Sequence, residues 1–188
     1  MDRTRQYGSI DQIRRDHVQR YLFAANRIPR GSKVLDLACG CGYGSWILHG
    51  AGLEVTGADI SDEAIFYAKR YYQGPTYLLQ KAEDTQGSWD ALVTFETLEH
   101  LENPEVLLGA VRSPLVIASV PNEERYPFVA EKFAQDEYPH KRHYTPDEFA
   151  ELLRSCGVNE IEWYCQKDKF GDVVPGTDGL FLIAVGSR

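Results

Sequence analysis

The chain has 188 residues, of which 43% are hydrophobic and 26% are charged, and its net charge at pH 7 is −8. This length and composition predict a single globular domain over residues 1–188. The acidic balance argues against a nucleic-acid partner, and no apolar run is long enough for a membrane span. The N-terminus lacks the apolar core of an export signal and the four cysteines lack a secreted spacing, so we expect a cytoplasmic protein.

Hydrophobic spacing divides the chain into alternating helices and strands. Apolar residues recur at helical intervals over residues 9–28, and Pro29 and Gly31 end this predicted helix. The alternation that follows predicts an α/β fold, doubly wound, with a mostly parallel seven-stranded Rossmann-like sheet and a C-terminal antiparallel hairpin. After a first strand at 34–37, the predicted strands are 54–58, 76–79, 91–95, 115–120, 161–166 and 180–185, the last two enclosing a turn region at 168–179.

A long segment without periodicity precedes the last predicted helix. Residues 121–144 contain scattered aromatic side chains and end near two histidines, His140 and His143. Because unstructured loops of this length are usually functional or mobile, we predict that this segment is a lid. The next helix should begin at Pro146, since Thr145 and Glu148 have the spacing of a capping box.

The glycine turn after the first strand is the most informative part of the sequence. Gly40 and Gly42 allow a ligand to approach bare main chain at the start of the next helix. A dinucleotide fingerprint has glycine or alanine where Ser45 stands. Asp36 would repel a pyrophosphate but attract an ammonium group. Together with Asp59 at the end of the next strand, this favours S-adenosylmethionine, with its amino acid end near Asp36 and its ribose near Asp59.

These residues resemble the first motif of the class I S-adenosylmethionine-dependent methyltransferases, Val-Leu-Asp-Leu-x-Cys-Gly-x-Gly. The segment around His17, Arg20 and Tyr21 is similar to a subgroup found beside sugar-polymer genes. Two roles are open for the N-terminal helix of this chain: it closes over the cofactor, or it packs on the sheet with His17 exposed. The resemblance implies that Glu83 or Asp84 lies beside the adenine. The cofactor-binding residues that it implies are Asp36, Ala38, Gly40, Gly42, Asp59, Ile60, Glu83 and Phe95.

Candidate catalytic residues lie at the carboxyl ends of the fourth and fifth strands, where a doubly wound sheet binds its ligands. The segment Glu-Thr-Leu-Glu-His after residue 95 resembles ubiquinone-biosynthesis O-methyltransferases and small-RNA 3′-terminal 2′-O-methyltransferases. In those families the acids and the histidine bind a divalent metal together with a residue of a later loop, which His140 matches. The candidates are Glu96, Glu99, His100, Asn122, His140 and His143, of which we expect His100, His140 and Glu96 to be catalytic.

A metal site is one of three roles that the sequence leaves open for these residues. Its ligands would be Glu96, Glu99, His100 and His140, and the ion manganese, iron, zinc or magnesium. If the chain turns helically after the fourth strand, positions 96, 99 and 100 share one face. A metal-free general base and a purely structural role are the alternatives.

The sequence therefore predicts an S-adenosylmethionine-dependent methyltransferase that acts on a hydroxyl of a small molecule or sugar. The alternatives are an RNA-terminal 2′-O-methyltransferase and a non-catalytic cofactor-binding protein with the same fold. The acidic charge argues against the RNA alternative. We expect the basic side chains to form solvated surface rather than a nucleic-acid site; they are Arg3, Arg5, Arg14, Arg15, Arg20, Lys141 and Arg142.

Overall fold

The computed structural model describes residues 12–188, in which helices and strands alternate. The helices are α1 (Arg15–Ala25), α2 (Tyr43–Gly50), α3 (Asp62–Tyr71), α4 (Pro104–Ala110) and α5 (Pro146–Ser155). The strands are β1 (Lys33–Leu37), β2 (Glu54–Asp59), β3 (Thr76–Leu79), β4 (Gly87–Ser88), β5 (Ala91–Phe95), β6 (Val111–Arg112), β7 (Leu115–Pro121), β8 (Glu160–Gln166), β9 (Val174–Pro175) and β10 (Phe181–Ser187). Single 3₁₀ turns occur at Ala82–Asp84, Leu98–His100 and Ala130–Lys132.

The central sheet of the described residues has eight strands in the order β3-β2-β1-β5-β7-β10-β8-β9. The first five strands in this order are parallel, and β10, β8 and β9 each run antiparallel to the preceding strand. The predicted α/β fold with a mostly parallel sheet and an antiparallel C-terminal part is therefore confirmed. A separate small ribbon pairs β4 with β6.

Two details of the predicted elements differ from the structure. The eighth strand, β9, lies inside the segment 168–179 that the sequence predicted as a turn region. Val174 pairs with Cys165 and Pro175 with Tyr164, and a two-residue strand that contains proline gives no alternating signal. The helix predicted over 9–28 corresponds to α1, which ends at Ala25; residues 9–11 lie outside the described residues.

Two apolar layers cover the faces of the sheet. Side chains of α4 and α5 pack on one face, where Leu107 and Phe149 belong to the same buried cluster as Leu35 of β1. Helices α1 and α2 supply the other layer. Alternation along β1 sends neighbouring side chains to opposite layers. The helices of residues 12–188 are too short or too polar to span a lipid bilayer. Because β3, β2, β1, β5 and β7 are parallel, their carboxyl ends lie at one edge of the sheet.

Candidate active site

The turn after β1 has a left-handed backbone at three positions. The φ angles of Ala38, Gly40 and Gly42 are 59°, 54° and 85°. A Cβ at position 42 would lie 2.6 Å from the Cβ of Ala68 and 2.9 Å from the ring of Tyr77, so packing alone excludes a side chain there. A Cβ at position 40 would meet nothing within 4 Å. Gly40 therefore leaves open space at the sheet edge, whereas Gly42 lets α2 approach α3.

Asp59 fastens this turn to the end of β2. Its Oδ2 accepts a hydrogen bond from the Gly40 N–H at 2.8 Å, and its Oδ1 accepts one from the Ser61 N–H at 2.9 Å. Ser61 in turn caps α3, because its hydroxyl accepts a hydrogen bond from the Ala64 N–H. One buried carboxylate thus fixes both the glycine turn and the start of α3.

A cavity opens at the carboxyl ends of β1, β2 and β5, next to Asp59. The predicted site residues that line it are Ala38, Asp59, Ile60, Glu83, Glu96 and His100. The remaining lining residues are Leu37, Ala58, Gln80, Ala82, Thr97, Leu101 and Tyr138, for which the sequence offered no chemical signal. Asp36, Gly40, Gly42, Phe95, Glu99 and His140 are not among the lining residues.

Asp36 lies beneath the glycine turn and is fully buried. The Tyr21 hydroxyl donates to its Oδ1 at 3.1 Å and the Ser45 hydroxyl to its Oδ2 at 2.6 Å. Burial raises the pKa of Asp36 to about 7 in spite of these two hydrogen bonds, and the nearby charge of Asp59 acts in the same direction. Asp36 is thus held by α1 and α2 instead of facing the cavity.

Helix α1 packs directly on the glycine turn. The Tyr21 ring lies so close to Gly44 that a Cβ there would be 2.0 Å from a ring carbon. The Nδ1 of His17 lies 3.0 Å from the Tyr43 hydroxyl, and burial, aided by the charge of Arg20, lowers the pKa of His17 to about 3. His17 is therefore a half-buried, neutral contact of the turn rather than a fully exposed side chain.

Glu96 is held at the end of β5 by a buried arginine. Its backbone is left-handed, with φ of 52°, and its Oε1 accepts a hydrogen bond from the Ser119 hydroxyl at 2.8 Å. The Nη1 of Arg20 lies 3.0 Å from the same oxygen. The prediction that Arg20 is solvated is wrong: only 1% of its surface is exposed, because it lies on the inner side of α1 between Asp16 and Glu96. Arg3 and Arg5 lie outside the described residues.

Glu99, His100 and His140 gather at the rim of the cavity. One candidate ligand atom from each lies within 4.8 Å of the others, and the Nε2 of His100 lies 3.8 Å from the Oε1 of Glu99. The two imidazole rings meet edge to face at 4.5 Å. Burial lowers the pKa of His140 to about 3, with His100 and His143 contributing, so His140 is neutral at physiological pH. Glu96 is not part of this cluster.

The segment 121–144 is tied down at both ends. Asn122 forms a bridge with Tyr144, and its side-chain amide donates to the carbonyls of Thr177 and Gly179. Near its other end the Lys141 N–H donates to the Glu99 carbonyl at 2.8 Å. Asn122 thus anchors the segment, and the second contact brings His140 to the cluster.

Comparison with known proteins identifies the family. A family model described as a methyltransferase domain matches residues 7–162. The chain belongs to the class I S-adenosylmethionine-dependent methyltransferases. This confirms the predicted enzyme class and the predicted cofactor.

Individual proteins are similar to this methyltransferase in sequence or in fold. The ubiquinone biosynthesis O-methyltransferase of Xanthomonas axonopodis pv. citri is 30% identical over 115 residues, 57% of this chain and 46% of that protein. The chain thus spans about half the length of the curated relatives it matches. A TehB-like methyltransferase of Corynebacterium glutamicum superposes with a TM-score of 0.66 at 20% identity, over 90% of this chain and 87% of that one. Magnesium protoporphyrin IX methyltransferase of Synechocystis PCC 6803, solved with bound S-adenosylmethionine, superposes with a TM-score of 0.62 at 20% identity. The superposition covers 91% of this chain and 77% of that one.

Proposed function

We propose that this methyltransferase transfers a methyl group to a hydroxyl of a small molecule or sugar. The observation that carries the proposal is the cluster of Glu99, His100 and His140 beside the cofactor cavity. A hydroxyl acceptor must lose its proton, and imidazoles and carboxylates are the usual groups that take one. The similarity to ubiquinone biosynthesis O-methyltransferases supports an oxygen acceptor.

The cofactor is proposed to lie along the cavity from Glu83 to His100. Asp59, already positioned by two backbone amides, would accept the ribose hydroxyls, and Ile60 and Glu83 would contact the adenine. Ala38 and Gly40 would leave the main chain of the turn open to the amino acid end. Asp36 and Phe95 do not line the cavity and would act through the residues that do; the buried Asp36 carboxylate would attract the ammonium group from beneath the turn.

His100 is the first candidate for the proton acceptor. The Glu99 carboxylate 3.8 Å from its Nε2 would stabilise the imidazolium that forms when the proton is taken. The low pKa of His140 makes that ring a weak base but leaves it with a lone pair at neutral pH. Glu96, fixed by Arg20 and Ser119, would act as a stationary carboxylate that accepts a hydrogen bond from the acceptor. S-adenosylmethionine supplies an already activated methyl group, so positioning does most of the rest.

A divalent ion is a second part of the proposal. Glu99, His100 and His140 offer one oxygen and two nitrogen donors within 4.8 Å of one another, a set that suits manganese, iron or zinc better than magnesium. A bound ion would lower the pKa of an acceptor hydroxyl. Glu96 lies outside this set, and its Oε1 is held by Arg20 and Ser119, so we propose the three-residue set without it.

The test is methyl transfer from labelled S-adenosylmethionine to three acceptor panels: phenolic diols, sugars, and short RNAs with free 3′ ends. Product from the first or second panel supports the proposal, and product from RNA alone would overturn it. Each assay is repeated after exhaustive chelation and after adding manganese, iron, zinc or magnesium singly. Full activity in chelator would remove the ion from the mechanism. His100→Ala and His140→Ala would then identify the base, with Glu102→Gln, an exposed neighbour, as control.

A further inference from the structure

A chain of hydrogen bonds leads from the interior of the segment 121–144 to the candidate active site. The Nδ1 of His143 lies 2.6 Å from the main-chain carbonyl oxygen of Tyr126. The Nε2 of the same ring lies 3.0 Å from the Nδ1 of His140. The His143 side chain is fully buried, and the rings of Tyr126, Phe128 and Phe133 surround it. Both nitrogens of His143 are therefore committed to named partners.

The partners determine where the protons are. A carbonyl oxygen only accepts hydrogen bonds, so the Nδ1 of His143 carries a hydrogen. Three aromatic rings enclose the His143 side chain, and such surroundings favour the neutral form of an imidazole. Its Nε2 then has a lone pair and accepts from the Nδ1–H of His140.

The same logic fixes the state of His140. With its hydrogen on Nδ1, the neutral ring has its lone pair on Nε2. The ring is also held in place, stacked on Phe133 at 4.0 Å with an angle of 11° and met edge to face by His100. A nitrogen of this ring lies within 4.8 Å of the candidate ligand atoms of Glu99 and His100. Only Nε2 can offer a lone pair there.

We propose that His143 is a positioning residue that sets the tautomer of His140 and thereby presents the Nε2 lone pair to the active site. The tautomer is a property of the fold alone. What the lone pair does, whether it accepts from the acceptor hydroxyl or binds an ion, rests on the proposed function. Replacing a residue that orients a histidine through its other ring nitrogen usually lowers activity about 10–100-fold.

The experiment reads the tautomer directly. Two-bond ¹H–¹⁵N correlation spectra of protein labelled at its histidines distinguish a ring protonated at Nδ1 from one protonated at Nε2, and His140→Gln assigns the signals. In the wild type we expect the hydrogen of His140 on Nδ1. His143→Phe keeps an aromatic ring but removes the acceptor, so His140 should shift towards the Nε2–H form. His143→Gln can both accept from His140 and donate to Tyr126, and should restore the Nδ1–H form.

Kinetics provide the second measurement. His143→Phe should lower kcat about 10–100-fold with an unchanged Kd for S-adenosylhomocysteine, and His143→Gln should recover most of that loss. A wild-type spectrum with the hydrogen of His140 on Nε2, or the same tautomer in all three proteins, would overturn the proposal, and the wild-type spectrum requires no variant to fold. If the tautomer changes and kcat does not, the positioning role stands and the proposed use of His140 in methyl transfer fails.

Discussion

Arg20 of α1 places its guanidinium 3.0 Å from the carboxylate of Glu96 at the end of β5. The same side chain contacts Asp16, donates to Ser119 and Gln166, and is 1% exposed. One buried cation therefore joins the helix over the glycine turn to a residue that lines the cavity. Removing it would leave the Glu96 carboxylate without this counter-charge, whereas Asp16 would keep its contact with Arg14. Losing a buried ion-pair partner costs more than losing a surface ion pair.

We predict that Arg20→Met lowers the free energy of unfolding by about 3–5 kcal/mol. The matched control is Arg15→Met, on the same helix as Arg20. It breaks an exposed ion pair with Asp172 and should lower the free energy of unfolding by less than about 1 kcal/mol. Urea denaturation measures both. Adding Glu96→Gln to Arg20→Met should recover part of the loss, and equal costs for the two single variants would contradict a structural role for the buried ion pair.

The pH dependence of stability tests the state of Asp36. Its pKa of about 7 lies above the ordinary value of 3.8, so the folded protein binds this proton more tightly than the unfolded chain does. Protonated Asp36 contributes about 4 kcal/mol to the free energy of unfolding. This contribution is fully present below about pH 4 and is lost as the pH rises through 7. Asp36→Asn should flatten the dependence of the free energy of unfolding on pH between about pH 4 and pH 7, whereas the exposed Asp62→Asn should not. A wild type equally stable at pH 5 and pH 8, with no difference from Asp36→Asn, would exclude a raised pKa.

Local signals made the elements around the cofactor predictable. The apolar strand, the paired glycines and the capping box of Thr145 and Glu148 each depend on residues a few positions apart, and the structure contains all of them. The bounds predicted for the strands at 76–79 and 91–95 match β3 and β5. Sequence patterns of this kind reflect interactions between residues that are close in the chain, and such interactions determine these elements.

The pairing of distant residues could not be predicted in the same way. Arg20 has the spacing of a surface helix position, and only its approach to Glu96, 76 positions later in the chain, explains why it is buried. The helical spacing of 96, 99 and 100 suggested one common face. The left-handed backbone at Glu96 precedes the 3₁₀ turn Leu98–His100 and directs Glu96 to Arg20 instead. His143 had no signal beyond its residue type, because its role depends on the fold of the segment 121–144.

The predicted lid function of the segment 121–144 remains to be tested. The segment is tied down near its ends by Asn122 and Lys141. Its middle consists of turns whose residues are mostly exposed, apart from the aromatic side chains that pack on His143. Limited proteolysis should therefore cut first between about Glu124 and Asp136, and cofactor with acceptor should slow the cut. The proteolysis rate of the exposed 168–172 loop provides the control. Resistance equal to that of the sheet core would indicate a fixed structural segment.

Cofactor selectivity can be measured by thermal unfolding. A ligand present at a hundredfold its Kd, binding only the folded state, adds about 2.7 kcal/mol to stability. For a chain of this size the melting temperature should rise by roughly 5–10 °C with S-adenosylmethionine or S-adenosylhomocysteine. NAD, for which the turn has Ser45 in place of the third glycine, should leave it unchanged. A shift with NAD and none with S-adenosylhomocysteine would contradict the proposed contacts.

Asp59 offers the sharpest test of the cofactor site, because its carboxylate has two roles that different variants separate. The two backbone hydrogen bonds from Gly40 and Ser61 need an acceptor on each oxygen, and the ribose hydroxyls need the charge as well. Asp59→Asn keeps the shape but replaces one acceptor with a donor that faces a backbone N–H. Asp59→Ala removes both acceptors, and a hydrogen bond to a charged group contributes about 1.5–3 kcal/mol.

We therefore expect Asp59→Ala to weaken S-adenosylhomocysteine binding at least tenfold, measured by isothermal calorimetry on protein that stays folded. Asp59→Asn should also weaken binding. Glu63→Ala, an exposed acid on α3, removes the same charge nearby and should leave the affinity unchanged. A variant that loosens the glycine turn would also weaken binding. The melting temperature of each variant without ligand is therefore compared first with that of the wild type. An unchanged affinity in Asp59→Ala would move the ribose away from the end of β2, and the cofactor placement along the cavity would then be wrong.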